Sequence, residues 1–166
     1  MGRTSPVTIL VFVAGLGIGY FARSAGICRP HRTETRAADL TAIEKLHKAD
    51  MEVTLTQDPS SMANLFSDDA VNLGFPAPVV GKKAIQEAFA KFRTENPDFS
   101  VLKYLTDIKD IQFADGWAIE VGYTEATYKM SISIKDNPVN FPRTPGMRVL
   151  KRQGDGSWKF ALVGLK

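Results

Sequence analysis

Residues Asp58–Phe92 read DPSSMANLFSDDAVNLGFPAPVVGKKAIQEAFAKF, and the punctuation of this stretch decides the fold. Asp58-Pro59-Ser60-Ser61 ends one helix and opens another, since proline suits a first helical turn. Met62–Phe66 is then a short helix and Ser67-Asp68-Asp69 a tight acidic turn. Ala70–Phe75 is a strand, stopped by Pro76 and Pro78. Gly81–Arg93 is a helix with Ile85, Ala88, Phe89 and Phe92 facing inward.

Working outward, the upstream segment Leu40–Gln57 places Leu40, Ile43, His47, Asp50, Met51 and Thr54 three or four residues apart. That spacing sets them on or near one helical face. Leu46 and Val53 form a flanking apolar line. Asp39 or Thr41 caps the start, with Glu44 three residues after Thr41 as in a capping box. Downstream the period changes. Phe99–Thr106 and Lys109–Phe113 read as strands, and Asp115-Gly116 signals a hairpin. Trp117–Ser131 alternates, with Trp117, Ile119, Val121 and Tyr123 on one side. Glu120, Gly122, Thr124 and Ala126 occupy the other. Lys135–Pro145 reads as a loop, Met147–Arg152 and Trp158–Val163 as a closing hairpin around Gly154-Asp155-Gly156. Helices first and antiparallel strands later define an α+β class.

The chain has 166 residues, which suits one domain, and 44% apolar residues can fill its core. The net charge of +3 is unevenly placed. Residues 1–37 hold five Arg against one Glu, a net of +4. The remaining 16 Lys and Arg face 17 Asp and Glu, a net of −1. The globular part lacks the basic face a nucleic-acid partner requires. The lone Cys28 rules out an internal disulfide and a cysteine-based zinc cluster. Two histidines, one of them His31 near the N-terminus, rule out a histidine-rich metal site. Neither a phosphate loop nor a nucleophile elbow is present. No metal and no cofactor are expected.

Val7–Ala22 is an uncharged run of sixteen residues preceded by Arg3. It is long for a signal-peptide core and short for a spanning helix. Residues 1–24 read as a signal peptide or membrane anchor and 25–38 as a linker, leaving a domain at 39–166. Export to a periplasmic or secreted location, or tethering by residues 7–22, is the expectation. The arginines after the apolar run argue for the opposite orientation. Any membrane contact is confined to this N-terminal segment.

The LFSDDAV and VVGKKAIQEAF segments and the closing MRVLKRQGDGSWKFALV resemble the nuclear transport factor 2-like superfamily, in its SnoaL-like and ketosteroid isomerase-like branch. The resemblance covers about residues 39–166. It implies a cone in which three N-terminal helices pack on a curved antiparallel sheet and enclose a pocket. The scaffold serves enzymes and non-catalytic proteins alike, so function must come from the site. Carried over one position at a time, the isomerase base falls on Gly74, which cannot shuttle a proton. The helix tyrosine donor falls on Asp50, and the acid of the penultimate strand on Arg148. Ketosteroid isomerisation by the usual groups is thereby removed.

The replacements suggest their own chemistry. His47 and Asp50, three apart on a helix, can face the pocket together. In a catalytic reading His47 is general base, Asp50 orients it, and Arg148 grips an anionic or carbonyl oxygen. The reaction would be a cofactor-free isomerisation, cyclisation or hydration of a small hydrophobic, carbonyl or carboxylate ligand. Glu120 and Tyr123 are ligand-contact candidates, because the small residues around Glu120 leave space. In the other reading Asp50 and Arg148 are a buried ion pair, held at low carboxylate pKa by the guanidinium. The domain is then a non-catalytic ligand-binding or assembly module, a homodimer through its sheet.

Overall fold

A computed structural model describes residues 33–74, 77–129 and 138–165. Three helices and six strands follow in the order α1 (Thr33–Thr56), α2 (Pro59–Asn64), β1 (Phe66–Asn72), β2 (Val79–Val80), α3 (Lys82–Glu95), β3 (Ser100–Ala114), β4 (Trp117–Lys129), β5 (Val139–Arg152) and β6 (Trp158–Leu165). The α+β class holds. The third helix, however, follows β1 and β2 rather than sitting with the other two at the N-terminal side.

The sheet is open, in the order β2-β1-β6-β5-β4-β3. It is mixed rather than wholly antiparallel, because β1 runs parallel to β6. One face carries α1 and α3 over a core of Ile43, Leu46, Leu65, Phe66, Ile85, Leu150, Trp158 and Phe160. Apolar burial at this face is the main force holding helices to sheet. Phe66 anchors the corner, its ring 5.8 Å from Phe160 and 6.2 Å from Phe89.

Several boundaries differ from the sequence reading. α1 begins at Thr33, so residues 33–38 are helix, not linker. Thr41 is therefore inside the helix and bonds back to the Ala37 carbonyl. Asp39, expected as a cap, is fully buried. It accepts from Trp158 Nε1 at 3.0 Å and pairs with Arg152 at 2.9 Å. Those two ties to the sheet fix the early turns of the helix. Asp58 does cap α2, accepting from the Ser61 amide at 2.7 Å.

The Ser67-Asp68-Asp69 turn is absent. These residues lie within β1, which starts at Phe66 and ends at Asn72. An irregularity against β6 between Phe66 and Val71 absorbs the misfit. Asp69 reaches Lys151 Nζ at 2.6 Å across the sheet. In α3, Ile85 is buried as expected, but Phe92 is exposed and meets Phe99 edge-on at 4.9 Å.

The two strands expected at Phe99–Thr106 and Lys109–Phe113 are one long strand with a bulge at Lys109. Gly122 opposite permits it. A Cβ there would meet the Asp107 carbonyl and stand 2.9 Å from Ile108 Cα. β5 runs through Pro142 and Pro145, where a loop was expected. The reason is that β6 ends opposite Gly146, so Val139–Pro145 pairs with β4 alone. On that free edge proline forfeits no ladder bond.

Candidate functional site

α1 lays His47 and Asp50 against the inner sheet face, where β3 supplies Tyr104, β4 Glu120 and β5 Arg148. Glu120 and Arg148 are register partners on adjacent strands. Both point inward because their strands alternate and the opposite residues, Trp117, Ile119, Val121 and Tyr123, face solvent.

The five side chains form one connected cluster. His47 Nε2 lies 2.7 Å from Glu120 Oε2. Arg148 Nη1 donates to Asp50 Oδ2 at 3.0 Å, and the Tyr104 hydroxyl donates to the same oxygen at 3.3 Å. Arg148 Nε forms an ion pair with Glu120 Oε1. The guanidinium also sits 4.9 Å above the Phe160 ring. Glu120 is 1% exposed, Asp50 and Arg148 8% each. A single guanidinium thus serves two buried carboxylates.

This arrangement corrects two expectations. The partner of His47 is Glu120, not Asp50. Asp50 is not held at low pKa by Arg148 either. Burial pushes its carboxyl above the usual range, and the opposing pulls of Arg148, Tyr104 and His47 do not cancel that push. Burial and the Asp50 charge together push the Tyr104 hydroxyl far up as well, so it remains a donor.

Glu120 and Tyr123, grouped as ligand contacts, stand on opposite faces of the sheet. Tyr123 lies on the outer face, with the Arg143 guanidinium 4.2 Å from its ring centre. Tyr104 was missed in the sequence reading. Its period-2 relation to the buried Val101 is hidden by an irregularity between Val101 and Lys103. The one signal for Glu120 was its company of small residues, since a carboxylate on a closed face requires a partner.

Two cavities adjoin this part of the sheet. An outer hollow of about 590 Å³ is lined by Leu73, Val121, Tyr123, Met147 and Leu162, with Lys109 at its side. An inner hole of about 10 Å³ is bordered by Ile108, Glu120, Thr124 and Arg148. Gly122, Tyr123 and Gly146 border both. His47 and Asp50 line neither. Among the described residues no group of three His, Cys, Asp or Glu is placed to hold a metal ion.

No family model matches the sequence, and no curated protein matches it. Solved structures do share its architecture. A protein from Catenulispora acidiphila superposes with a TM-score of 0.66 at 19% identity, over 79% of this chain and 92% of that one. A second structure from that organism, in complex with S-DNPA, gives 0.64 at 20% identity over 78% and 92%. A ketosteroid isomerase-like protein from Erwinia carotovora atroseptica gives 0.61 at 21% identity over 75% and 92%. ActVI-ORFA from Streptomyces coelicolor gives 0.62 at 16% identity over 76% and 95%. The chain has the nuclear transport factor 2-like fold of the ketosteroid isomerase-like proteins.

Proposed function

We propose that this domain is a self-assembling module whose interior ion cluster is structural, rather than an acid–base enzyme. The observation that carries the reading is the filled interior. His47, Asp50, Tyr104, Glu120 and Arg148 face one another, and the hole beside them holds about 10 Å³. A general base must come within hydrogen-bond reach of a substrate proton. Here His47 commits Nε2 to Glu120 instead.

The outer face supports a second copy of this chain as the partner. Trp117, Ile119, Val121, Tyr123 and Met147 form an exposed apolar tract on β4 and β5. Around it lie pairs of opposite sign: Lys103–Glu125, Arg143–Asp107, Lys109–Asp107 and Lys151–Asp69. An apolar centre within a charge-balanced rim has the anatomy of an interface. A rim carrying both signs can meet its own image across a two-fold axis. Sedimentation of the 166-residue chain tests this. A dimer supports the reading, and a monomer at tens of micromolar rejects it.

A second reading keeps catalysis. It is favoured by the His47–Glu120 pair, since a carboxylate on one ring nitrogen fixes the tautomer and raises the basicity of the other. In that case a carbonyl or carboxylate ligand enters beside Arg148. A thermal-shift screen with such metabolites separates the readings, because a ligand that binds only the folded state raises its stability. Asp50→Asn then abolishes turnover under the catalytic reading and changes only stability under the structural one.

A further inference from the structure

The ion cluster leaves two polar atoms without a hydrogen bond: Arg148 Nη2 and Glu120 Oε1. Oε1 lies beside Arg148 Nε as an ion pair, but without alignment for a hydrogen bond. Both residues are more than nine-tenths buried. A buried polar atom left without a hydrogen bond is costly, more so when it is charged. Both residues border the same hole of about 10 Å³.

We propose that Arg148 and Glu120 form a binding site for one hydroxyl-type oxygen. The required chemistry is narrow. The occupant must accept from Nη2 and donate to Oε1. A carbonyl, which only accepts, leaves Oε1 unmet, and an anion is repelled by the Glu120 carboxylate. A water molecule or the hydroxyl of a small molecule satisfies both atoms. The hole's volume corresponds to about one water-sized sphere, so it holds one oxygen, and the carbon of a ligand hydroxyl would have to lie outside it. Thr124 also borders the hole. The pair of facing glycines, Gly122 and Gly146, helps bound this space where side chains would otherwise compete for it. The oxygen closes the chain His47–Glu120–oxygen–Arg148–Asp50–Tyr104, so every member has a polar partner.

The test is a crystal structure of the full chain at high resolution, from crystals grown without polyols and again with a small alcohol. The expected result is one isolated oxygen peak within hydrogen-bond distance of both Nη2 and Oε1 in the first crystals. Carbon density attached to that peak only in the second identifies a ligand hydroxyl as a competing source of the same chemistry. Absence of a peak in both, or Nη2 turned onto a protein acceptor, overturns the proposal. Arg148→Lys, which keeps the charge but lacks the second amino group, is expected to lose the peak. Retention of the peak in that variant also overturns it. Should the variant not fold, water-to-protein magnetisation transfer at the Thr124 amide of the wild type gives an independent readout: a long-lived water signal is expected, and its absence counts against the site.

Discussion

Asp50 shows how burial and charge pairing compete at a single residue. Its carboxyl is raised above the unfolded value near 3.8 because desolvation outweighs Arg148. The folded chain therefore holds the Asp50 proton more tightly than the unfolded chain does. That contribution to stability is fully present below about pH 4 and is lost as pH rises through the raised folded value. Urea unfolding at a series of pH values should show wild type losing stability above pH 4 more steeply than Asp50→Asn. Parallel profiles would remove Asp50 as the source. Arg148 has the opposite character. Arg148→Met strands two buried carboxylates, and a cost of about 3–5 kcal/mol is expected. Chemical denaturation measures it, and a loss under 1 kcal/mol would mean the carboxylates find other partners.

At the scale of elements, the segment Asp58–Phe92 conveyed the helix–strand–helix order but misplaced its joints. Asp68 and Asp69 look like turn residues because acidic side chains suit turns. Pairing of Phe66 and Val71 on either side with β6 and the Lys151 contact to Asp69 hold them within β1 instead. Likewise three prolines suggested a loop before Gly146, and two of them prove tolerable because β6 stops there. The face of α1 bearing His47 and Asp50 was legible from spacing alone. Of their partners, the resemblance supplies Arg148 for Asp50, and the two lie 3.0 Å apart. Tyr104 and the pairing of His47 with Glu120 were not legible, since they depend on strand registers set by bulges. The bulge at Lys109 gives a direct test. Gly122→Ala puts a methyl group into the Asp107–Ile108 backbone. Overpacking of this kind costs about 1–3 kcal/mol or more, read as a lower thermal midpoint. An unchanged midpoint would mean the long strand shifts freely. At the far end of α1, Gln57 takes φ 58° and its side chain accepts from Arg93 at 2.6 Å. Arg93 also donates to the Phe99 carbonyl at 2.7 Å, so one guanidinium ties α1, α3 and the approach to β3.

At the scale of the whole molecule, the described residues turn two chemistries to opposite faces of one sheet. Ionisable groups are closed inside, and an apolar tract is open outside. A lone domain in water leaves that tract hydrated, whereas association across a two-fold axis buries it. Val121 and Ile119 lie within the tract on β4 and remain outside the ion cluster. The double change Val121→Glu with Ile119→Glu places four like charges near the axis of the proposed dimer without touching His47, Glu120 or Arg148. The expected outcome is a dissociation constant raised at least tenfold, equivalent to about 1.4 kcal/mol. The thermal midpoint extrapolated to low protein concentration should stay near that of wild type, because both positions are solvent-exposed in the single chain. Sedimentation velocity across a dilution series measures the first quantity, and calorimetry of dilute samples the second. A wild-type chain that already sediments as a monomer rejects the proposed dimer, and a double variant that dimerises unchanged moves the contact to another surface. A variant that unfolds at every concentration would show instead that the outer tract stabilises the single domain directly, with the sheet bending around it.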